Sequence, residues 1–171
     1  MAAPGYEFVI EAPDLRTTAA LGAALARCLP DGTLVALEGP LGAGKTALVK
    51  AVAEALGVDP AQVTSPTFVL MQAYEGSRPI VHLDAFRLER PQEFAALAAE
   101  EFFPPDGLVF IEWYGKVAEA APVPELEIRI EILDAGRRRF VLRTSRAALA
   151  QRLSHALAGL SVTATRASEA S

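Results

Sequence analysis

Gly39-Pro40-Leu41-Gly42-Ala43-Gly44-Lys45-Thr46 is the stretch that decides the fold. It spaces two glycines, a lysine and a threonine in the pattern of a phosphate-binding loop, G-x-x-x-x-G-K-T. With glycine at about 7% of average residues, chance produces that pattern in a chain of this length on the order of once in a few hundred. The surroundings sharpen the reading. Upstream, Thr33 to Glu38 (TLVALE) is a short apolar run bounded by glycines and reads as a buried strand. Downstream, Lys45 to Leu56 reads as a helix that Gly57 stops. In a strand–loop–helix unit the glycines let successive backbone N–H groups turn inward around an anion, and the helix adds its positive end. Gly39, Leu41, Gly42, Ala43 and Gly44 are therefore the candidate backbone contacts to the phosphates of a nucleoside triphosphate. Lys45 is the candidate partner of its β- and γ-phosphates, and the Thr46 hydroxyl is a candidate ligand of Mg²⁺.

Such a loop needs a second acidic residue to hold the magnesium, usually at the end of another parallel strand. Two residues fit. Asp84 ends the apolar run Ile80-Val81-His82-Leu83-Asp84, and Glu112 ends Leu108-Val109-Phe110-Ile111-Glu112. At the carboxyl ends of parallel strands both face the crevice where ligands bind. Between the loop's helix and Asp84 lies Thr64-Ser65-Pro66-Thr67, either an ordinary turn or the place of a threonine that senses the γ-phosphate. His82 reads first as a packed strand histidine, with a catalytic base as the alternative. Arg87 reads as an ion-pair partner or as a neutraliser of transition-state charge. Trp113, the only tryptophan, adjoins Glu112 and is expected at the site.

The rest of the chain places these motifs in one α/β domain. Tyr6 to Ala12 reads as a first strand, and Asp14 caps a helix that carries Leu15, Ala19, Leu21, Leu25 and Leu29. Phe68 to Tyr74 and Pro79 to Asp84 read as strands, Pro91 to Glu101 as a helix and Gly107 to Trp113 as a buried strand. Leu126 to Leu133 and Arg139 to Arg143 alternate around the turn Asp134-Ala135-Gly136, and Arg146 to Leu160 reads as a last helix. Residues 1–160 form the expected domain, and 161–171, small and polar, the expected disordered tail.

Of 171 residues 51% are apolar, enough for one sizeable core without a metal or disulfide staple. Cys28 is the single cysteine and reads as a buried small side chain. The formal charge of −5 gives no bulk reason for nucleic-acid binding, so any RNA is expected to be reached through a partner. Met1-Ala2-Ala3-Pro4-Gly5 has no basic segment leading into an apolar run, and no stretch approaches the roughly 20 apolar residues of a spanning helix. A soluble, cytoplasmic protein that does not engage the membrane is expected.

Four segments, taken in order, resemble the TsaE (YjeE) family, the small ATPase of bacterial tRNA threonylcarbamoyladenosine synthesis. Gly39 to Thr46 is similar to the family's GDLGAGKT loop, with Pro40 in place of the acid. Thr64-Ser65-Pro66-Thr67-Phe68 resembles its TSPTF/Y segment. His82 to Leu88 resembles its HxDxYRL element, with Phe86 at the tyrosine position, and Ile111-Glu112-Trp113 its EW element. The resemblance covers roughly Asp14 to Arg143. It implies a single P-loop NTPase domain with a mostly parallel mixed sheet, flanking helices and a C-terminal β-hairpin. It implies ATP and Mg²⁺ as cofactors, with Thr46 and Glu112 holding the metal, Asp84 supporting the water or the metal shell, and Thr64 sensing the nucleotide. It sets the adenine near Leu15 to Thr17 and the Gly136-Arg137 turn. It implies TsaD and TsaB as partners, tRNA being met only indirectly, and hydrolysis that resets their complex.

Two other functions compete. A small-molecule kinase would use a similar loop, but it needs an arginine-bearing lid, and Arg87 and Arg90 come with no evident lid insertion. A GTP switch would need an Asn-Lys-x-Asp segment to read guanine, and the sequence has none.

Overall fold

Burial along each strand follows from its residue pattern and decides how that strand is used. The computed structural model describes residues 5–167. The continuous apolar runs of β2 (Thr33–Glu38), β4 (Ile80–Asp84) and β5 (Leu108–Glu112) are covered on both faces, as strands of a parallel sheet must be. By contrast β1 (Gly5–Ala12), β6 (Leu126–Ile132) and β7 (Arg138–Thr144) alternate, burying one face and wetting the other.

Among the described residues eight strands form one sheet in the order β3-β4-β5-β2-β6-β7-β1-β8. The parallel part is β4-β5-β2-β6. Short β3 (Met71–Tyr74) joins one side antiparallel, and β7, β1 and β8 (Val162–Ala167) extend the other. The sheet is mixed as expected, with a larger antiparallel share than the resemblance implies.

Alternate residues feed two cores. Val35, Leu37, Leu108 and Phe110 join Ile10, Ile128 and Leu142 under α1 (Leu15–Cys28), α2 (Lys45–Ala55) and α4 (Ala147–Ala156). Leu34, Val81, Leu83, Val109 and Ile111 form a smaller core with Phe94 and Val117 on the opposite face. The wet face of β6, β7 and β1 instead carries cross-strand pairs, Arg139 with Glu11 and Glu131, and Arg143 with Glu7. Water screens these pairs, so the apolar face holds the hairpin in place.

Helix α1 begins as expected, with the Asp14 carboxylate accepting from Thr17 N at 3.0 Å. No glycine caps its far end. Distant arginines do that work: Arg78 donates to the Leu29 carbonyl at 2.9 Å and Arg152 to that of Cys28 at 2.8 Å. Cys28 is buried as expected, and burial pushes its thiol up to about 11.

Several boundaries differ from expectation. Strand β3 begins at Met71 rather than Phe68, because Leu70 turns back onto the Pro66 carbonyl with φ of 67°. Helix α3 (Pro91–Ala96) stops short of Glu101: Ala98 takes φ of 48° and Ala99–Phe102 forms a separate 3-10 turn. Phe94 and Ala99, both buried, would lie about 140° apart on one straight α-helix, and the break brings both into the smaller core. Helix α4 ends at Ala156 rather than Leu160. The expected tail is largely strand, since β8 pairs with β1 from Gly5↔Ala167 to Ile10↔Val162, satisfying backbone groups that β1 would otherwise leave open. Residues 168–171 lie outside the described residues. Among those described, no helix is long and apolar enough to cross a membrane.

Gly22 sets the distance between α1 and α2, because a Cβ there would lie 2.4 Å from that of Ala51 and 2.9 Å from Val52 N. Gly22→Ala is expected to lower the free energy of unfolding by about 1–3 kcal/mol through overpacking, although alanine gains about 1 kcal/mol in helix propensity. Urea denaturation measures the balance. A more stable variant would contradict the close approach.

Candidate functional site

Parallel pairing brings the two acids together. Asp84 closes β4, Glu112 closes β5, and the register sets them side by side, with Leu37 of β2 on the other flank of Glu112. Each is 3% exposed, at the carboxyl edge of the parallel strands. Just past the end of β2 the chain enters the phosphate loop. Gly39 has φ of 151°, and a Cβ there would lie 2.6 Å from the Ile130 carbonyl oxygen, so only glycine lets the loop leave the sheet this close to β6.

The loop delivers Lys45 and Thr46 to the acids. Thr46 donates its hydroxyl to Glu112 Oε1 at 2.7 Å. Lys45 Nζ donates to the carbonyls of Gly39 at 2.7 Å and Pro40 at 3.1 Å and stands 4.1 Å from the centre of the Trp113 ring. Burial pushes this ammonium below the usual lysine value, while the charges of Glu112, Asp84 and Glu38 pull it back up. Asp84 accepts from Phe86 N at 2.9 Å on one oxygen, and from Thr67 Oγ1 at 2.6 Å and Ser65 Oγ at 3.4 Å on the other. Trp113 adopts φ of 57°, a strained conformation for so large a residue, and its ring lies 5.3 Å from that of Phe86.

These groups border a cleft of about 310 Å³. A second cleft of about 690 Å³ shares Gly42, Gly44 and Ala47 with it and continues past the start of α2 to Leu15, Gly136 and Phe140. One crevice thus runs from the paired acids, over the loop, to the entry of α1 and the β6–β7 turn.

Most of the candidate residues meet in this crevice: Leu41, Gly42, Gly44, Lys45, Thr46, Asp84, Glu112 and Trp113 at one end, and Leu15, Ala43 and the shared loop glycines at the other. Three candidates lie off this lining: Gly39, which borders a neighbouring cleft against β6, Thr64 and Arg137. Thr64 is exposed, and its carbonyl accepts from the Tyr74 hydroxyl at 3.3 Å, while Ser65 and Thr67 reach Asp84. Arg137 turns its guanidinium onto Asp134 at 2.5 Å, and the cleft is lined by Arg138 instead. Arg138 donates to the carbonyls of Ala43 at 3.0 Å and Asp134 at 2.8 Å, pinning the hairpin turn to the phosphate loop. Arg87 makes no ion pair among the described residues, and its guanidinium stacks 4.2 Å from the centre of the Phe68 ring. Glu38, not singled out in the sequence, accepts from Gly115 N and so ties the end of β2 to the turn after Trp113. Pro66 disfavours helix at Ser65, and Ser65 and Thr67 both reach Asp84 Oδ2 from either side of it.

The donor set suits Mg²⁺. A hydroxyl and two carboxylates are hard oxygen ligands, and this ion is commonly held by one or two carboxylates with waters and substrate phosphates. Among the described residues no group of three or more His, Cys, Asp or Glu is arranged to hold a metal unaided.

Strand, glycine loop and helix, with two acids at neighbouring strand ends, define a phosphate-loop nucleotide-binding protein. The model of the family described as "Threonylcarbamoyl adenosine biosynthesis protein TsaE" matches residues 12–140. A Treponema pallidum protein named tRNA threonylcarbamoyladenosine biosynthesis protein TsaE is 37% identical over 121 residues, covering 71% of this chain and 89% of its own. Its Bacillus subtilis namesake is 37% identical over 119 residues, covering 69% and 72%. The crystal structure of Bacillus subtilis YdiB matches with a TM-score of 0.71 and 27% identity, over 87% of this chain and 95% of that one. The chain belongs to the TsaE family.

Arg138 and Arg137 provide a direct comparison. Arg138→Ala removes charge-assisted bonds worth about 1.5–3 kcal/mol to the loop and is expected to weaken nucleotide binding about tenfold or more. Arg137→Ala, which removes an exposed pair, is expected to leave it unchanged. Equilibrium titration with a fluorescent nucleotide measures both, and equal effects would contradict the assignment.

Proposed function

We propose that this TsaE-family protein serves tRNA threonylcarbamoyladenosine biosynthesis as a magnesium-dependent ATPase, slow alone and stimulated by TsaD and TsaB homologues in the cytoplasm. The observation that carries the reading is the hydrogen bond from Thr46 Oγ1 to Glu112 Oε1 at 2.7 Å, with Asp84 alongside in register. A phosphate loop whose threonine meets a strand-end carboxylate is arranged for a triphosphate with its metal.

Each group has a distinct task. The amides of the loop and the first turn of α2 surround the phosphates, and Lys45 neutralises charge at their β and γ positions. Thr46 and Glu112 hold Mg²⁺, with Asp84 supporting the water or the metal shell. Bound there, the ion would neutralise charge between the β- and γ-phosphates. Thr67, whose hydroxyl touches Asp84, takes the sensing role expected of Thr64. The larger cleft accommodates the base and ribose between Leu15 and Gly136, with Arg138 fixing the wall in place of Arg137.

A partner-dependent activity is supported by what surrounds the smaller cleft. Leu41, Phe68 and Val69 are 77%, 81% and 59% exposed, an apolar rim suited to burial against another protein. The net charge of −5 favours indirect over direct contact with tRNA. Hydrolysis then resets the TsaD–TsaB complex.

Lys45→Ala is expected to weaken ATP binding by a factor of about ten or more, as loss of a charged hydrogen-bonding group implies. Glu112→Gln is expected to retain ATP binding and lose magnesium-dependent turnover. Steady-state phosphate release, with and without TsaB and TsaD, tests both sites and partners. Full activity in both variants would refute the site, and an unchanged rate with partners present would refute stimulation.

A further inference from the structure

Glu112 is gripped from two directions. His82 precedes Asp84 by two residues on β4, so both face the side of the sheet that α2 covers. The His82 side chain is wholly buried, and its Nε2 lies 2.8 Å from Glu112 Oε1, the oxygen that also receives the Thr46 hydroxyl. A nitrogen facing a carboxylate at this distance carries the hydrogen, which in a neutral ring leaves Nδ1 as the acceptor. Nδ1 faces the Tyr74 hydroxyl at 3.4 Å, and the single hydrogen of that hydroxyl is shared with nearer acceptors, Gln72 Oε1 at 2.7 Å and the Thr64 carbonyl at 3.3 Å. Burial pushes the Tyr74 phenol up, which keeps it a neutral partner for the ring. Any buried histidine needs partners at its nitrogens, and what singles this one out is that Nε2 meets the carboxylate oxygen that also receives the Thr46 hydroxyl. Here each polar edge meets a polar partner, and the line of contacts joins the Thr64–Thr67 loop to the carboxylate.

We infer that His82 is a positioning residue for the reaction, holding Glu112 from behind through Nε2–H while Tyr74 braces the ring at its other nitrogen. This rests on the reading of Glu112 as a metal-holding residue. An unsupported glutamate samples several rotamers, and binding must then select one. A hydrogen bond made in advance removes that selection, as supports behind metal ligands generally do. The Tyr74 contact with the Thr64 carbonyl makes the same support sensitive to the loop that presents Thr67 to Asp84.

The test compares His82→Leu, His82→Gln, Tyr74→Phe and Glu112→Gln. Mn²⁺ affinity is measured by electron paramagnetic resonance titration with ADP present, without turnover, and kcat and KM for ATP are measured separately. His82→Leu is expected to weaken Mn²⁺ binding about tenfold and to lower kcat, with KM for ATP unchanged. His82→Gln, whose amide nitrogen donates from nearly the same place, recovers most of the affinity, and Tyr74→Phe causes a smaller loss. Wild-type Mn²⁺ affinity in His82→Leu, alongside a weakened Glu112→Gln, overturns the positioning role and leaves the metal reading standing. Wild-type affinity in Glu112→Gln overturns the metal reading itself. Should His82→Leu fail to fold, Tyr74→Phe decides: a measurable loss supports the role, and wild-type affinity overturns it.

Discussion

The in-register pairing of β4 with β5, which sets Asp84 beside Glu112, is the constraint on which the site rests. Side chains alternate along a strand, so a slip of one residue would turn either acid, and His82 with Asp84, toward the opposite core. The apolar residues prevent that slip. Ile80, Leu108 and Phe110 fill the larger core while Val81, Leu83, Val109 and Ile111 fill the smaller one. Moving a strand by one step would exchange these sets and drive charged ends into apolar surroundings. The geometry of the acids is thus held by residues that have no chemistry of their own.

The crevice is assembled from two kinds of sheet. Parallel strands contribute chemical groups at their carboxyl ends, where the phosphate loop, Asp84 and Glu112 converge. The antiparallel hairpin contributes a wall, brought against the loop by Arg138 and by the close approach of Gly39 to Ile130. Each part buries its apolar face under α1, α2 and α4, so one core supports both ends of the crevice.

Legibility in the sequence followed the range of the interactions. The phosphate loop, Asp84 and Glu112 could be read because each combines a local residue pattern with a strand end. The Asp14 cap and the Asp134 turn are local for the same reason. What escaped depends on register or on distant partners. Arg137 and Arg138 are neighbours, and only the point where β7 begins decides which of them faces the loop. Thr64 and Thr67 share one short motif, and the turn at Leu70 decides which meets Asp84. His82 looked like packing because its partner lies on another strand, 30 residues away. The last strand escaped because its residues give a weak apolar signal, and its place is set by pairing with β1 at the far end of the chain.

That last strand also decides where the sheet ends. β1 has backbone partners on both sides, β7 on one and β8 on the other. An uncovered strand offers its amides and carbonyls to any extended chain nearby. With β8 in place the outer row passes to a segment bearing exposed Thr163 and Thr165, and the sheet's opposite edge, β3, is only four residues long. Loss of residues 162–167 would remove no residue of the crevice and would make β1 the edge of the sheet in place of β8. A segment that takes no part in the crevice thus decides which strand forms this edge of the sheet.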